Sequence, residues 1–261
     1  MNAITNQPIT LLGVRDHGIL MKPELAKASE RGDKTMTRRL VTQRTSLQNG
    51  TNCPPRIWKT YDFSRAWVDP GPSPAGNEGP YLKAPRPVFD SDGKAVDEVI
   101  DRIYPKWQVG DRIYVKETWT AAYRSGCFGT IFRADGAFVQ GKRRHEKGPF
   151  YNADDRPPGM LWRPSIFLPR WAARLWFEVT AVRPERVQNI SESDANAEGV
   201  EAYDGALDEV ALCRRAKEMG IPPTESRVWF AELWDTINFK RSPWSNNDWV
   251  WVISYRRLET P

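Results

Sequence analysis

The stretch DWVWVISYRRL, Asp248–Leu258, sets Val250, Val252 and Ile253 among Trp249, Trp251 and Tyr255. β-Branched and aromatic side chains at this density favour a pleated strand. Two more segments carry the same signature. In GDRIYVKETW (Gly110–Trp119), Ile113, Val115, Glu117 and Trp119 alternate with Tyr114, Lys116 and Thr118. In ARLWFEVTAVR (Ala173–Arg183), Leu175, Phe177, Val179 and Ala181 alternate with Trp176, Glu178 and Thr180. Both have the two-residue period of a strand. GTIFRAD (Gly129–Asp135) is a predicted partner strand.

Helices separate these strands. KPELAKASERG (Lys22–Gly32) has a proline suited to the first helical position and a glycine suited to the position just past the end. SESDANAEG opens with Ser191, three residues ahead of Asp194, a start resembling a capping box. LDEVALCRRAKEMG ends at Gly220. TESRVWFAELWDTIN places Phe230, Leu233, Trp234 and Ile237 on one helical face. The stretch from about 46 to 108 differs: it holds nine of the 21 prolines and reads as a long, mostly irregular insertion. The expected fold class is α+β, a small, bent barrel with flanking helices in one domain spanning 1–261. A helical elaboration is expected at about 201–223.

Composition narrows the chemistry. With 261 residues, 40% of them hydrophobic, the chain can bury a substantial core. No apolar run is long enough to span a membrane, and the N-terminal residues do not read as a signal peptide. Cys53, Cys127 and Cys213 lie far apart, which fits a reducing, cytoplasmic setting. With only His17 and His145 besides, no metal site and no cofactor are expected. Residues 141–190 carry ten Lys/Arg against five Asp/Glu, while 191–240 carry five against eleven. Such asymmetry suits a polyanionic partner on one side.

GDKTMTRR (Gly32–Arg39) is the densest cluster of reactive groups. Four segments together resemble the ASCH domains of the PUA superfamily: GDKTMTRR, GDRIYVKETW, the stretch 162–200, and WVWVISYRR (Trp249–Arg257). Gly32, Lys34, Thr37 and Arg39 meet the G-x-K-x-x-T-x-R signature. The resemblance covers about two-thirds of the chain and is nearest to long members encoded by bacteriophages and prophages. It implies a PUA-like barrel that binds RNA, DNA or a modified nucleoside in a cleft beside the first helix. Small members are N4-acetylcytidine amidohydrolases. Their catalytic Lys, Thr and Glu fall on Lys34, Thr37 and Glu198, and the family Arg falls on Arg39. A non-catalytic reader of RNA or modified DNA bases, or a ribonuclease, are the alternatives.

The residue types suit that chemistry. A lysine acts as a base only when neutral, and burial or the neighbouring Arg38 and Arg39 would lower its pKa. It could then take a proton from Thr37 or from water, with Glu198 holding the lysine or protonating the leaving amine. Arg39 could stabilise oxyanion charge or anchor a phosphate or base carbonyl, and Arg38 and Arg39 are both candidate substrate-binding residues. Glu117 is a carboxylate among apolar neighbours and needs a partner, either an arginine in a buried ion pair that shapes the cleft or a base edge of the substrate. Trp119 is a candidate base-stacking residue, or core. Arg163, Ser165 and Arg170 alternate with Trp162, Phe167 and Trp171, a composition suited to a nucleic-acid groove. The basic run Gly141–Lys147 is a predicted hairpin tip.

Overall fold

In chain order, β1 (Asp16–Leu20), α1 (Pro23–Arg31) and β2 (Met36–Leu40) open the fold. The strands β3 (Ser46–Leu47), β4 (Trp67–Asp69), β5 (Tyr81–Phe89) and β6 (Ala95–Tyr104) follow, then β7 (Arg112–Lys116). Next come β8 (Trp119–Arg124), β9 (Cys127–Phe132), β10 (Phe138–Gln140) and β11 (Tyr151–Asn152). The chain continues through β12 (Trp176–Arg186), α2 (Glu192–Ala197), α3 (Glu209–Met219) and α4 (Ser226–Asn238), and ends in β13 (Trp249–Leu258). This computed structural model describes residues 14–41, 46–47, 61–69, 81–89, 94–124, 127–140, 151–152, 161–203 and 207–259. The basic run 141–147 lies outside them. No helix among the described residues is long and apolar enough to cross a membrane.

The protein is a mixed α+β fold, with three sheets among the described residues. Its principal sheet has the order β1-β7-β12-β13-β2, parallel between β1 and β7 and antiparallel elsewhere. The aromatic C-terminal segment is thus a central strand. One of its faces carries Trp251, Ile253 and Tyr255 into a core with Ile19, Ala26, Ile113, Val115 and Phe177. The other carries Val250 and Val252 into a second core with Leu25, Met36, Phe230 and Trp234. No ladder joins β1 to β2 among the described residues. A side chain spans that gap instead: Arg39 of β2 donates to the carbonyl of Leu20, the last residue of β1, at 2.7 Å.

Two sequence expectations need correction, and a third gains detail. Within 46–108 the described residues include a four-stranded sheet of order β3-β6-β5-β4. Pro85 and Pro87 sit inside β5, paired with β6 at Ile100 and Glu98. They are tolerated because β4 covers β5 only as far as Lys83. Beyond that point the second edge of β5 has no strand partner among the described residues, and a missing N–H costs little there. Ile237 lies 47% exposed, off the buried stripe of α4. A bulge between Val179 and Ala181 breaks the alternation of β12 and turns Ala181 outward.

The helix ends place the critical loops. Pro23 starts α1, and Gly32 ends it in the left-handed region, its neighbours Asp33 and Lys34 both donating to the Ala28 carbonyl. Ser191 caps α2 by accepting from the Asp194 N–H. After α2 the chain turns at Gly199 (φ 75°), where an added Cβ would lie 2.8 Å from the Lys34 Cβ and 3.3 Å from the Ala28 Cβ. Gly220 also has positive φ, but nothing lies within 4 Å of its missing Cβ. Gly220→Ala should therefore cost about 1 kcal/mol from backbone strain alone. Gly199→Ala should cost at least about 2 kcal/mol more, because strain and overpacking combine. Urea unfolding of both variants measures the difference, and equal losses would contradict the close packing of the turn on Lys34.

Candidate functional site

Lys34 leaves the end of α1 and reaches Glu198, the residue that closes α2. Its ammonium donates to Glu198 Oε2 at 2.6 Å and to the Glu198 carbonyl at 2.8 Å. The two side chains are 2% and 6% exposed, so the pair is out of water. The other carboxylate oxygen, Oε1, lies 3.4 Å from the Arg38 guanidinium. Arg38 itself is wholly covered and also donates to Glu185 (3.0 Å) and Asp194 (2.7 Å). Arg183 joins the same two carboxylates. Glu198 is therefore fixed from both sides.

Strand alternation explains why neighbouring arginines differ. Across the β2–β13 pair, Arg38 faces Val252 while Thr37 faces Ile253 and Arg39 faces Trp251. Met36 and Arg38 thus share the face under α2 and α4, where the Arg38 guanidinium lies 5.6 Å from the Phe230 ring. Thr37 and Arg39 share the opposite face with Trp251, Ile253 and Tyr255. Thr37 is buried, and neither hydrogen bond of the Lys34 ammonium goes to its hydroxyl. Tyr255 closes the group: its phenol meets the Ser29 hydroxyl at 3.0 Å, and its N–H donates to the Thr35 carbonyl. Thr35 in turn donates to the Ala197 carbonyl at the end of α2.

The electrostatics favour a neutral lysine more than an ordinary surface would. Burial pushes the Lys34 pKa down, the Glu198 carboxylate opposes that fall, and Arg39 and Arg38 reinforce it. Burial likewise pushes the Tyr255 phenol up, so it stays protonated.

The remaining sequence candidates gather elsewhere. Glu117, just past β7, accepts both nitrogens of a fork from Arg174, at 2.7 and 2.9 Å, and Arg174 also binds Asp135. Its carboxylate is occupied as a buried ion pair. Trp119 is 5% exposed and packs with Phe132, Leu168 and Trp176, so core packing accounts for its ring. Exposed Arg163 lies over that ring at 5.1 Å. Ser165 begins a single 3-10 turn whose Ile166 and Phe167 are exposed. Arg170 is exposed, pairs with Asp16 and lies over Trp176. The structure thus unites Lys34, Arg38 and Glu198, lines Thr37 and Arg39 along the adjoining strand face, and leaves the 161–174 segment as a separate group.

Sequence reasoning passed over Glu185, Asp194, Tyr255 and Ser29 as site members. The cap at Ser191 marked Asp194 as part of a helix start, but nothing local joins it to Arg38. Among the described residues, no cluster of three or more His, Cys, Asp or Glu has a metal-holding arrangement. Comparisons with protein-family models, curated proteins and solved structures found no match.

Arg38→Met should destabilise the fold by about 2–3 kcal/mol, because buried Glu198 keeps only Lys34 and the half-buried Glu185 and Asp194 keep only Arg183. Arg38→Lys should recover only part of that loss, since one ammonium cannot replace a planar fork serving three acceptors. Thermal and urea unfolding check both, and a loss below about 1 kcal/mol for Arg38→Met would contradict the assignment.

Proposed function

We propose that this chain is a metal-independent amidohydrolase of the ASCH type, acting on N4-acylated cytosine or cytidine. One observation carries the reading: a lysine with a lowered pKa is buried in direct contact with a carboxylate, one strand start away from a threonine hydroxyl. An ammonium kept merely for structure gains nothing from burial that an apolar side chain could not supply. A lysine that neutralises readily is a usable base. The resemblance of Gly32, Lys34, Thr37 and Arg39 to the family signature points the same way. We also propose that the five-stranded sheet is a strongly bent, PUA-like barrel, its two end strands clasped by Arg39.

In this mechanism neutral Lys34 takes the proton from the attacking oxygen, which belongs to Thr37 or to a water that Thr37 orients. That oxygen bonds to the acyl carbon, and the carbon–N4 bond breaks. The Lys34–Glu198 pair returns the proton to N4, releasing the cytosine amine. If Thr37 attacks, a water repeats the sequence on the resulting ester and frees the carboxylate. Arg38 touches no reacting atom and acts as a positioning residue for Glu198. Exposed Phe167, in the same segment as exposed Arg163 and Arg170, supports the same base presented in RNA or DNA as well as free.

Hydrolysis of N4-acetylcytidine, free or within short RNA, followed by mass spectrometry, tests the reading. Lys34→Ala should reduce kcat/KM by about 10²–10⁴. In the wild type the rate should rise with pH, because only the neutral amine accepts a proton. The ascending limb should lie below the ordinary lysine value of 10.5. Unchanged hydrolysis in Lys34→Ala, or none in the folded wild type with any acylated cytidine, would overturn it. Binding without turnover would favour a reader, and cleaved RNA a ribonuclease.

A further inference from the structure

Packing alone would be served by a phenylalanine at position 255. The Tyr255 ring lies against Phe177, centroids 4.8 Å apart, within the principal core. Its hydroxyl is nonetheless carried into that core, where a polar group is tolerated only when hydrogen-bonded. The bond it makes crosses between elements: the phenol meets the Ser29 hydroxyl of α1 at 3.0 Å, 226 residues away in sequence. Ser29 is 1% exposed and also donates to the Met21 sulfur at 3.6 Å. With the Ser29 proton on Met21, Tyr255 donates to Ser29, and each of the two hydroxyl protons has an acceptor.

The place of this bond matters more than its strength. Ser29 adjoins Ala28, whose carbonyl accepts from the N–H groups of Asp33 at 3.0 Å and Lys34 at 3.2 Å. One residue past Lys34, the Thr35 carbonyl accepts from the Tyr255 N–H at 2.9 Å. That bond continues the β2–β13 pairing beyond its last pair, Met36 with Ser254. Tyr255 thus holds the chain on both flanks of Lys34, by its side chain before it and by its main chain after it. The phenol also lies within electrostatic reach of Glu198 and Arg39. We infer that the Tyr255–Ser29 hydroxyl pair positions Lys34, fixing α1 against β13 so that the ammonium meets Glu198 away from water. An apolar contact there would let the helix slide, whereas a hydrogen bond tolerates a displacement of only roughly 0.5 Å. The inference rests on the proposed amidohydrolase reading, in which Lys34 is the base, and names the residues that hold that base in place. Neither hydroxyl touches a reacting atom, so both are positioning residues.

Tyr255→Phe keeps the ring and the main-chain bond to Thr35 and deletes only the bridge to Ser29. NMR titration of Lys34 reads the consequence without any substrate. Its midpoint should move up toward the ordinary 10.5, because a shifted α1 admits water and burial is what lowers it. Ser29→Ala deletes the same bridge from the other end and should move the midpoint the same way, with no further movement in the double variant. Leu212→Ala, in the separate core between α3 and α4, should lower the melting temperature without moving the midpoint. With acylated cytidine, Tyr255→Phe should lower kcat about tenfold at unchanged KM. In a Lys34→Ala background it should cost nothing further. A wild-type midpoint in folded Tyr255→Phe and Ser29→Ala would overturn the inference, and so would an equal movement in Leu212→Ala. If Tyr255→Phe does not fold, Ser29→Ala decides. Midpoint movement in a protein that hydrolyses no acylated cytidine would keep the positioning pair and remove the amidohydrolase reading. Hydrolysis at full kcat in Tyr255→Phe would do the reverse.

Discussion

The desolvated contact between the Lys34 ammonium and the Glu198 carboxylate constrains everything around it. Taking such ions out of water costs several kcal/mol each, and only close geometry with further hydrogen bonds recovers that cost. The protein meets the condition on both sides. Lys34 has two acceptors on one residue, and Glu198 has a cation at each oxygen. Arg38 is in turn held by Glu185 and Asp194. The result is a rigid charged seam joining α1, β2, β12 and α2, four elements distant in sequence.

The surrounding fold reads as support for that seam. The left-handed cap at Gly32 turns the chain so that Lys34 emerges toward α2 rather than into solvent. Gly199 removes the one Cβ that would collide with the lysine stem. β13 pairs along β2 and fixes which residues share the Thr37 and Arg39 face. Glu192, at the start of α2, accepts from the first N–H groups of α4, at Ser226 and Arg227, and so ties the short helix to its longer neighbour. Charge placement and backbone conformation converge on one arrangement: a carboxylate that cannot move away from a buried lysine whose pKa burial pushes down.

Much of this architecture was legible in the sequence, and the parts that were not share a physical cause. Local signals located the strands over 112–116, 176–186 and 249–258, and Pro23, Gly32, Ser191 and Gly220 marked helix ends where the structure has them. The sheet within 46–104 was hidden because proline density speaks of broken ladders, whereas Pro85 and Pro87 occupy an edge with no strand partner among the described residues. Glu198 and Lys34 were paired through resemblance, since 164 residues of sequence separate them and no periodicity connects such positions. Arg38 and Arg39 looked equivalent in the sequence. Alternation sends them to opposite faces, but only the tertiary arrangement puts Glu185 and Asp194 under one of them. Tyr255 reads as strand core, which it is, and its hydroxyl becomes significant only once its neighbours are known.

The most direct measurement is the titration of Lys34 itself. NMR of the side-chain carbon and nitrogen nuclei, assigned by comparison with Lys34→Met, follows the ammonium as pH is raised. A midpoint clearly below the ordinary 10.5 is the predicted result, because burial and the two arginines outweigh the carboxylate. A midpoint at or above 10.5 would mean that Glu198 holds the proton in place. Lys34 would then be a structural cation, and the case for a base at this position would be gone.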